Sequence, residues 1–298
     1  NQAVFMLESG IDLRNGALLQ GGRGFGRQAY AGLNSARYGN LTLGRQYTSL
    51  FAAWTRFSPM AFATQYEPII FLTGLNFRSD NTIKYAHAWG PVSLQAHWTF
   101  KSGVFGHAAD EASQPFRRDS GHGAALSYAD GPWGAMLAYD RTNPVMDSFG
   151  DKQHGKALKV MATGSYSTGA LKFMAGYRWE QGKYSTGEVF LRDDIWWAGV
   201  NYQPTAQWTL MAGYYYLDLS TLKRSLAAET TNPRNPWQVS FIANYAVSKR
   251  TSLYVSTAYS RHAGLNFDLS PIGYANAYYL GAGKTSMTGV ALGIRHRF

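Results

Sequence analysis

Strict alternation of apolar and polar residues is the feature that most restricts the folds open to this chain. Within residues 92–101, one face carries Val, Leu, Ala, Trp and Phe, and the other carries Ser, Gln, His, Thr and Lys. Residues 171–180, 237–246 and 289–298 repeat the pattern. A β-strand points successive side chains to opposite faces, and a tilted strand of about ten residues can cross a bilayer. The pattern therefore predicts membrane-crossing strands with one apolar and one polar face.

The connections between these segments alternate between short and long. Short turns such as residues 90–91, 130–132 and 168–169 alternate with long connections such as residues 102–120 and 143–155. An up-and-down barrel has this order when tight turns lie at one end and long loops at the other. Closure is required because lipid cannot solvate unpaired backbone groups. We expect an all-β, antiparallel transmembrane β-barrel with fourteen identifiable strands and a single domain, residues 1–298.

Composition excludes several other classes of protein. Charged residues make up 15% of the chain, against roughly 25% in a typical soluble domain. Cysteine is absent and the 7 histidines are scattered, so we expect no disulfide, no metal site and no cofactor. The formal charge of +10 first suggests nucleic acid. The basic residues are spread along the strands, however, and we expect no nucleic-acid partner.

Three alternatives remain open from the residues alone. A soluble β-sandwich also alternates, but its apolar faces would rely more on Val, Ile and Leu than on Tyr and Trp at the strand ends. An outer-membrane enzyme would need inward catalytic groups near one rim, and no Ser, His and acid set stands out. A nucleic-acid-binding β-protein is suggested only by the charge, and detergent-dependent solubility would exclude it.

Five segments resemble a known family, the general porins of Gram-negative bacteria in their burkholderial and neisserial branch. These are residues 3–10, 26–33 (GRQAYAGL), 41–48 (LTLGRQYT), 77–85 (FRSDNTIKY) and 289–298. The resemblance implies a water-filled channel in the bacterial outer membrane, surrounded by lipid. It also implies a homotrimer, sixteen strands in the intact protein with the first two upstream of residue 1, and one long loop folded into the pore.

The loop of residues 49–76 is the expected constriction. Its Ile-Ile-Phe-Leu run, residues 69–72, is unusually apolar for a free external loop. The alternative is a loop that only covers the mouth of the pore. The loop carries one acid, Glu67, and one arginine, Arg56.

By the resemblance, Arg45 and Arg78 lie on the barrel wall and face this loop, with Arg27 as a weaker third member. Strict alternation would place Arg45 on the same face as Leu41 and Leu43. We therefore expect a β-bulge between Leu43 and Arg45, a feature that barrel rims often contain.

Charge on the inward faces indicates the ion preference. Rings of Arg or Lys favour anions, whereas rings of Asp or Glu favour cations. The acids on these faces are few, chiefly Glu180, and Asp193 and Asp194 are expected in an external loop at residues 182–194. The inward basic residues are Lys84, Lys101, Lys159, Lys172, Arg178, Arg295 and Arg297.

We therefore expect passive diffusion of small anionic and neutral solutes, with a preference for anions. A substrate-specific porin for phosphate or organic anions is the alternative. It would need a closely spaced ladder of Arg and Lys, which the sequence does not show continuously.

The last residue, Phe298, resembles the outer-membrane assembly signal of the family. We expect Phe298→Ser to reduce insertion into the outer membrane more than it alters the conductance of the protein that does insert. Immunoblots of membrane fractions, together with planar-bilayer recordings, measure the two effects. Normal insertion of this variant would contradict the role.

Overall fold

A computed structural model describes residues 1–62, 65–103, 117–268 and 278–297. Its main feature is one antiparallel sheet of fourteen strands whose spatial order follows the chain, which confirms the predicted fold class and number of strands. The remaining two strands, β8 and β9, pair as a separate hairpin. The strands are β1 Gln2–Glu8, β2 Gln28–Ser35, β3 Gly39–Tyr47, β4 Arg78–Trp89, β5 Val92–Thr99, β6 Gly121–Asp130, β7 Trp133–Thr142, β8 Val145–Met146, β9 Asp151–His154, β10 Lys156–Thr168, β11 Leu171–Lys183, β12 Val189–Tyr202, β13 Trp208–Leu222, β14 Trp237–Ala246, β15 Thr251–Arg261 and β16 Ser286–His296.

The helices are all short. They are α1 Leu19–Gly22, α2 Ser49–Trp54 and α3 Ile69–Thr73, with 3₁₀ turns at Thr55–Phe57, Leu75–Phe77, Asp147–Phe149 and Leu265–Phe267. In the described parts of the chain, no helix has the length and apolarity needed to span a membrane. The sheet order begins at β1 and ends at β16. The two further strands that the resemblance implies stay a prediction.

The two faces of the sheet differ in what covers them. One face contacts the loop between β3 and β4 and is called the inner face here; its residues include the buried Met136, Met161 and Ile195. On the outer face, Leu137 is 63% exposed and Leu292 is 79% exposed. An apolar face this exposed needs an apolar solvent, so the outer face is suited to lipid.

Of two predictions made for the strands, one is confirmed and the other is wrong. The predicted bulge is present, because the pairing of β3 with β4 shifts register between Gly44 and Gln46. The predicted external loop at residues 182–194 is wrong. Strand β12 already begins at Val189 and carries Asp193 on the inner face, where Arg178 binds its carboxylate at 2.7 Å.

Close packing on the inner face leaves no room for a side chain at Gly176. A Cβ at Gly176 of β11 would lie 2.2 Å from the Trp197 ring of β12, whereas a Cβ at Gly164 of β10 would meet only a carbonyl oxygen at 3.8 Å. We expect Gly176→Val to lower the free energy of unfolding by about 1–3 kcal/mol through overpacking, with Gly164→Val as the control. Denaturant titration in detergent measures both, and equal losses would contradict this account.

Candidate pore constriction

The loop between β3 and β4 packs against the inner face through its first helix. Thr48 precedes α2 and caps it, since its Oγ1 accepts a hydrogen bond from the Phe51 amide at 3.4 Å. Leu50, Phe51 and Trp54 are at most 1% exposed and belong to the main apolar cluster. Burial of this helix face explains why a loop inside the sheet carries apolar residues at helical spacing.

The later part of the loop is anchored on distant strands. Within the apolar run of residues 69–72, Ile69, Phe71 and Leu72 are buried in the same apolar cluster as helix α2. The Tyr66 carbonyl accepts hydrogen bonds from Gln238 Nε2 at 3.0 Å and Ser240 Oγ at 2.6 Å, both on β14. The loop therefore crosses the inner face from the β5–β7 side to β14.

Glu67 is a buried anchor of this loop. It is 1% exposed and accepts hydrogen bonds from Ser58 Oγ at 2.7 and 2.8 Å and from the Tyr215 hydroxyl of β13 at 3.0 Å. Burial raises the pKa of Glu67 to about 7, although the hydrogen bonds from Ser58 and Tyr215 act in the opposite direction. Its carboxyl group holds the loop to the wall and does not face open water.

Four of the predicted inward cations bind the loop or its two ends. Lys84 Nζ donates to the Tyr47 carbonyl at 3.1 Å, and Lys172 Nζ donates to the Arg56 carbonyl at 2.9 Å. Cations thus supply donors that backbone carbonyls in a buried loop would otherwise lack. The other two contacts are Lys159 Nζ to Asn76 Oδ1 at 3.0 Å and Arg178 to the Phe71 carbonyl.

A buried ionic network on the wall supports two of these cations. Lys159 lies 3.9 Å from Asp140 and 3.7 Å from Glu180, and Arg178 binds both Glu180 and Asp193. Sequence reasoning missed Asp140 and Asp193 as members of this site. Strand parity could have found Asp140, since it continues the inner face of β7 after Met136 and Ala138.

The network also reaches the start of the loop. His97 Nε2 lies 3.6 Å from Asp140 Oδ2. The other ring nitrogen of His97, Nδ1, accepts a hydrogen bond from the Ser49 amide at 3.2 Å. Both ends of the inserted loop are therefore connected to one set of buried charges.

The three predicted wall arginines occupy two neighbouring clusters. Arg27 and Arg78 both donate to the Tyr47 hydroxyl, at 3.4 and 3.3 Å, and Arg27 also binds Glu8 at 2.5 Å. The Arg78 guanidinium also lies 4.5 Å from the centre of the Phe77 ring.

Arg45 belongs to the second cluster. It binds Asp80 at 2.7 Å, and Asp80 also accepts from Arg23 at 2.8 Å. The structure thus brings Arg27 and Arg78 together, and Arg45 is held by a different carboxylate.

The remaining predicted residues are more dispersed. Arg56 is exposed on the loop, and the Lys101 carbonyl accepts a hydrogen bond from Asn81 Nδ2 at 3.4 Å. Arg295 and Arg297 line a cavity of about 470 Å³ together with Arg250. Phe298 lies outside the described residues.

Among the described residues, no group of three or more His, Cys, Asp or Glu side chains could hold a metal ion.

The sequence matches a family model described as Gram-negative porin over residues 1–265. The chain belongs to this family. It is therefore a porin of the outer membrane, as the resemblance predicted.

Individual porins agree with this assignment. An outer membrane porin protein of Bordetella pertussis is 26% identical over 329 aligned positions, which cover 100% of this chain and 78% of the relative. The anion-selective porin from Comamonas acidovorans has 19% identity and a TM-score of 0.76, with 99% and 84% of the two chains covered. OmpT of Vibrio cholerae has 13% identity and a TM-score of 0.61, with 91% and 79% covered. These structures confirm the barrel fold.

Glu67 should make retention of the loop depend on pH. Because its pKa in the docked loop is raised from 4.5 to about 7, docking favours the protonated carboxyl group. The stabilisation is complete below pH 4.5 and is lost as the pH rises through about 7. We expect a spin label on Ala61→Cys, specific because the chain lacks cysteine, to become more mobile between pH 5 and pH 8.

Glu67→Gln should remove this pH dependence, whereas Glu229→Gln, at an exposed position, should keep it. The same rise in mobility in the Glu67→Gln protein would show that another group controls the loop.

Proposed function

We propose that this porin allows passive diffusion of small anionic and neutral hydrophilic solutes and that it prefers anions. The observation that carries the proposal is the balance of charge where β1–β4 meet the inserted loop. Arg27, Arg45 and Arg78 lie there, and among the described residues their carboxylate partners are Glu8 and Asp80.

The way in which these groups are paired supports a net positive field. Asp80 is shared by Arg23 and Arg45, so among the described residues Arg45 has only part of one carboxylate as its counter-charge. Arg78 uses a neutral acceptor, the Tyr47 hydroxyl, and among the described residues it forms no salt bridge. Positive charge at a constriction with low-dielectric walls raises the local concentration of anions.

Two lysines on the wall add to this field. The polar contacts of Lys84 and Lys172 are backbone carbonyls, which orient an ammonium group without cancelling its charge. Arg178 contributes little, because Glu180 and Asp193 both bind it. The proposed constriction therefore comprises Arg78, Arg45, Arg27 and Arg56, while Glu67 holds the loop. The anion selectivity of the Comamonas porin, which shares the fold, is consistent with this assignment.

We also propose that the protein is a homotrimer and a channel without catalytic activity. A trimer form has been solved for OmpT of Vibrio cholerae. Glu67 and Arg178, which are buried on the inner face, hold the loop to the wall. Crosslinking in detergent tests the trimer.

Replacing Arg45 and Arg78 by Ser should weaken or reverse anion preference while the barrel stays folded. Surface charges are screened within about 8–10 Å at physiological salt, but charges in a narrow pore are screened less. The effect should therefore persist at moderate salt and grow as the salt concentration falls. The measurement is the reversal potential of a planar bilayer under a salt gradient.

The matched control is Lys223→Ser/Arg224→Ser. Lys223 is already paired with Glu188, and Arg224 is exposed. A larger shift from this pair, or unchanged selectivity in Arg45→Ser/Arg78→Ser, would show that the selective region lies elsewhere.

A further inference from the structure

A basic groove lies on the outer, lipid-facing side of the sheet, at the end that carries the long loops. It has a volume of about 370 Å³ and runs across β6, β7, β10 and β11. Arg141, Lys156 and Lys183 supply its positive charges, and Tyr139, Leu158 and Trp179 supply apolar surface. These cations have no part in the pore, because the strands point them away from it.

The strand register concentrates like charge in this groove. Lys156 of β10 pairs directly with Lys183 of β11, and Arg141 of β7 pairs with Leu158, two positions further along β10. Like charges directly opposite one another destabilise a sheet. Among the described residues, none of these three cations forms a salt bridge, so the described part of the chain supplies no counter-ion to the groove.

The neighbouring strand shows the opposite arrangement. Arg192 of β12 also lies on the outer face, but it binds Asp194 at 2.6 Å and stacks over Trp179 at 5.0 Å. On β7, β10, β11 and β12, the outer-face rim thus contains one cation neutralised by the protein, Arg192, and three that form no salt bridge with the described residues. This difference indicates that the counter-charge of the groove comes from outside the chain.

The depth of the groove in the membrane follows from its aromatic residues. Tyr139 is two residues before Arg141, and Trp179 is two residues before Gln181, on the side toward the middle of the strands. Tyr and Trp on an outer face mark the boundary between headgroups and acyl chains. The three cations therefore lie at headgroup level, with the exposed Leu137 and Val160 below them.

We propose that this groove binds the phosphate-bearing headgroup of an anionic membrane lipid. The Arg141 guanidinium can donate to two phosphate oxygens at once, and Lys156 and Lys183 neutralise the remaining charge. Leu158 and Tyr139 then contact the first part of an acyl chain. The site is independent of the proposed ion selectivity and rests only on the position of the chain in the outer membrane.

Native mass spectrometry of the detergent-solubilised protein, titrated with bisphosphorylated lipid A, tests the proposal. Lys156→Gln/Lys183→Gln should weaken binding by roughly 30-fold, since each surface cation contributes about fivefold. Lys156→Arg/Lys183→Arg should retain binding. The matched control is Arg261→Gln, an exposed cation at the same end of β15 and outside the groove.

Two further arms identify the source of the phosphate. The same lipid with its phosphates removed should bind like the double variant, and millimolar inorganic phosphate should not displace the intact lipid. Circular dichroism of the double variant shows that it is folded. Equal lipid binding by wild type and the folded Gln variant, equal loss in Arg261→Gln, or full displacement by inorganic phosphate would overturn the proposal.

Discussion

Attachment of one polypeptide loop to the inside of the sheet is the constraint on which the rest of the site depends. A loop inside a barrel brings backbone carbonyls away from bulk water, and each needs a donor. Strand residues supply these donors in the form of long cationic side chains, of which Lys84 and Arg178 are examples. The same residues thus position the loop and determine the electrostatic field beside it.

Two populations of inward cations result. In the first, a carboxylate partner cancels the charge, and the positive residue acts as a rigid connection between loop and wall; Arg178 with Asp193 is the clearest case. In the second, a neutral oxygen orients the cation and the charge remains, as for Arg78 on Tyr47. A count of the basic residues on the inward faces therefore overestimates the positive electrostatic field in the pore. The contribution of each basic residue depends on whether its partner is a carboxylate or a neutral oxygen.

On the outer face, which contacts lipid, the partner of each cation is again what matters. Most of its residues are apolar and need no partner in lipid, so a cation there requires a counter-charge from the protein or from a lipid headgroup. Arg192 has the first, through Asp194. Lys156 and Lys183 have no such partner among the described residues, and they lie at the level of the headgroups. The pore and the lipid-facing surface thus differ in the anion that neutralises a cation, which is a carboxylate of the protein or the headgroup of a lipid.

The sequence by itself indicated most of the strands and their faces, because alternation and pairing of adjacent strands are local properties of the chain. The bulge before Arg45 followed from the family resemblance, since alternation alone would have placed Arg45 on the opposite face. It also identified the inserted loop, since an apolar run such as residues 69–72 needs a buried surface. Only the tertiary structure decided that Glu67 is an anchor, through Tyr215, and that Asp140 and Asp193 oppose the inward cations. The loop hydrogen-bonds to a strand residue 174 positions away in sequence, and no local pattern specifies which distant side chain receives a given charge.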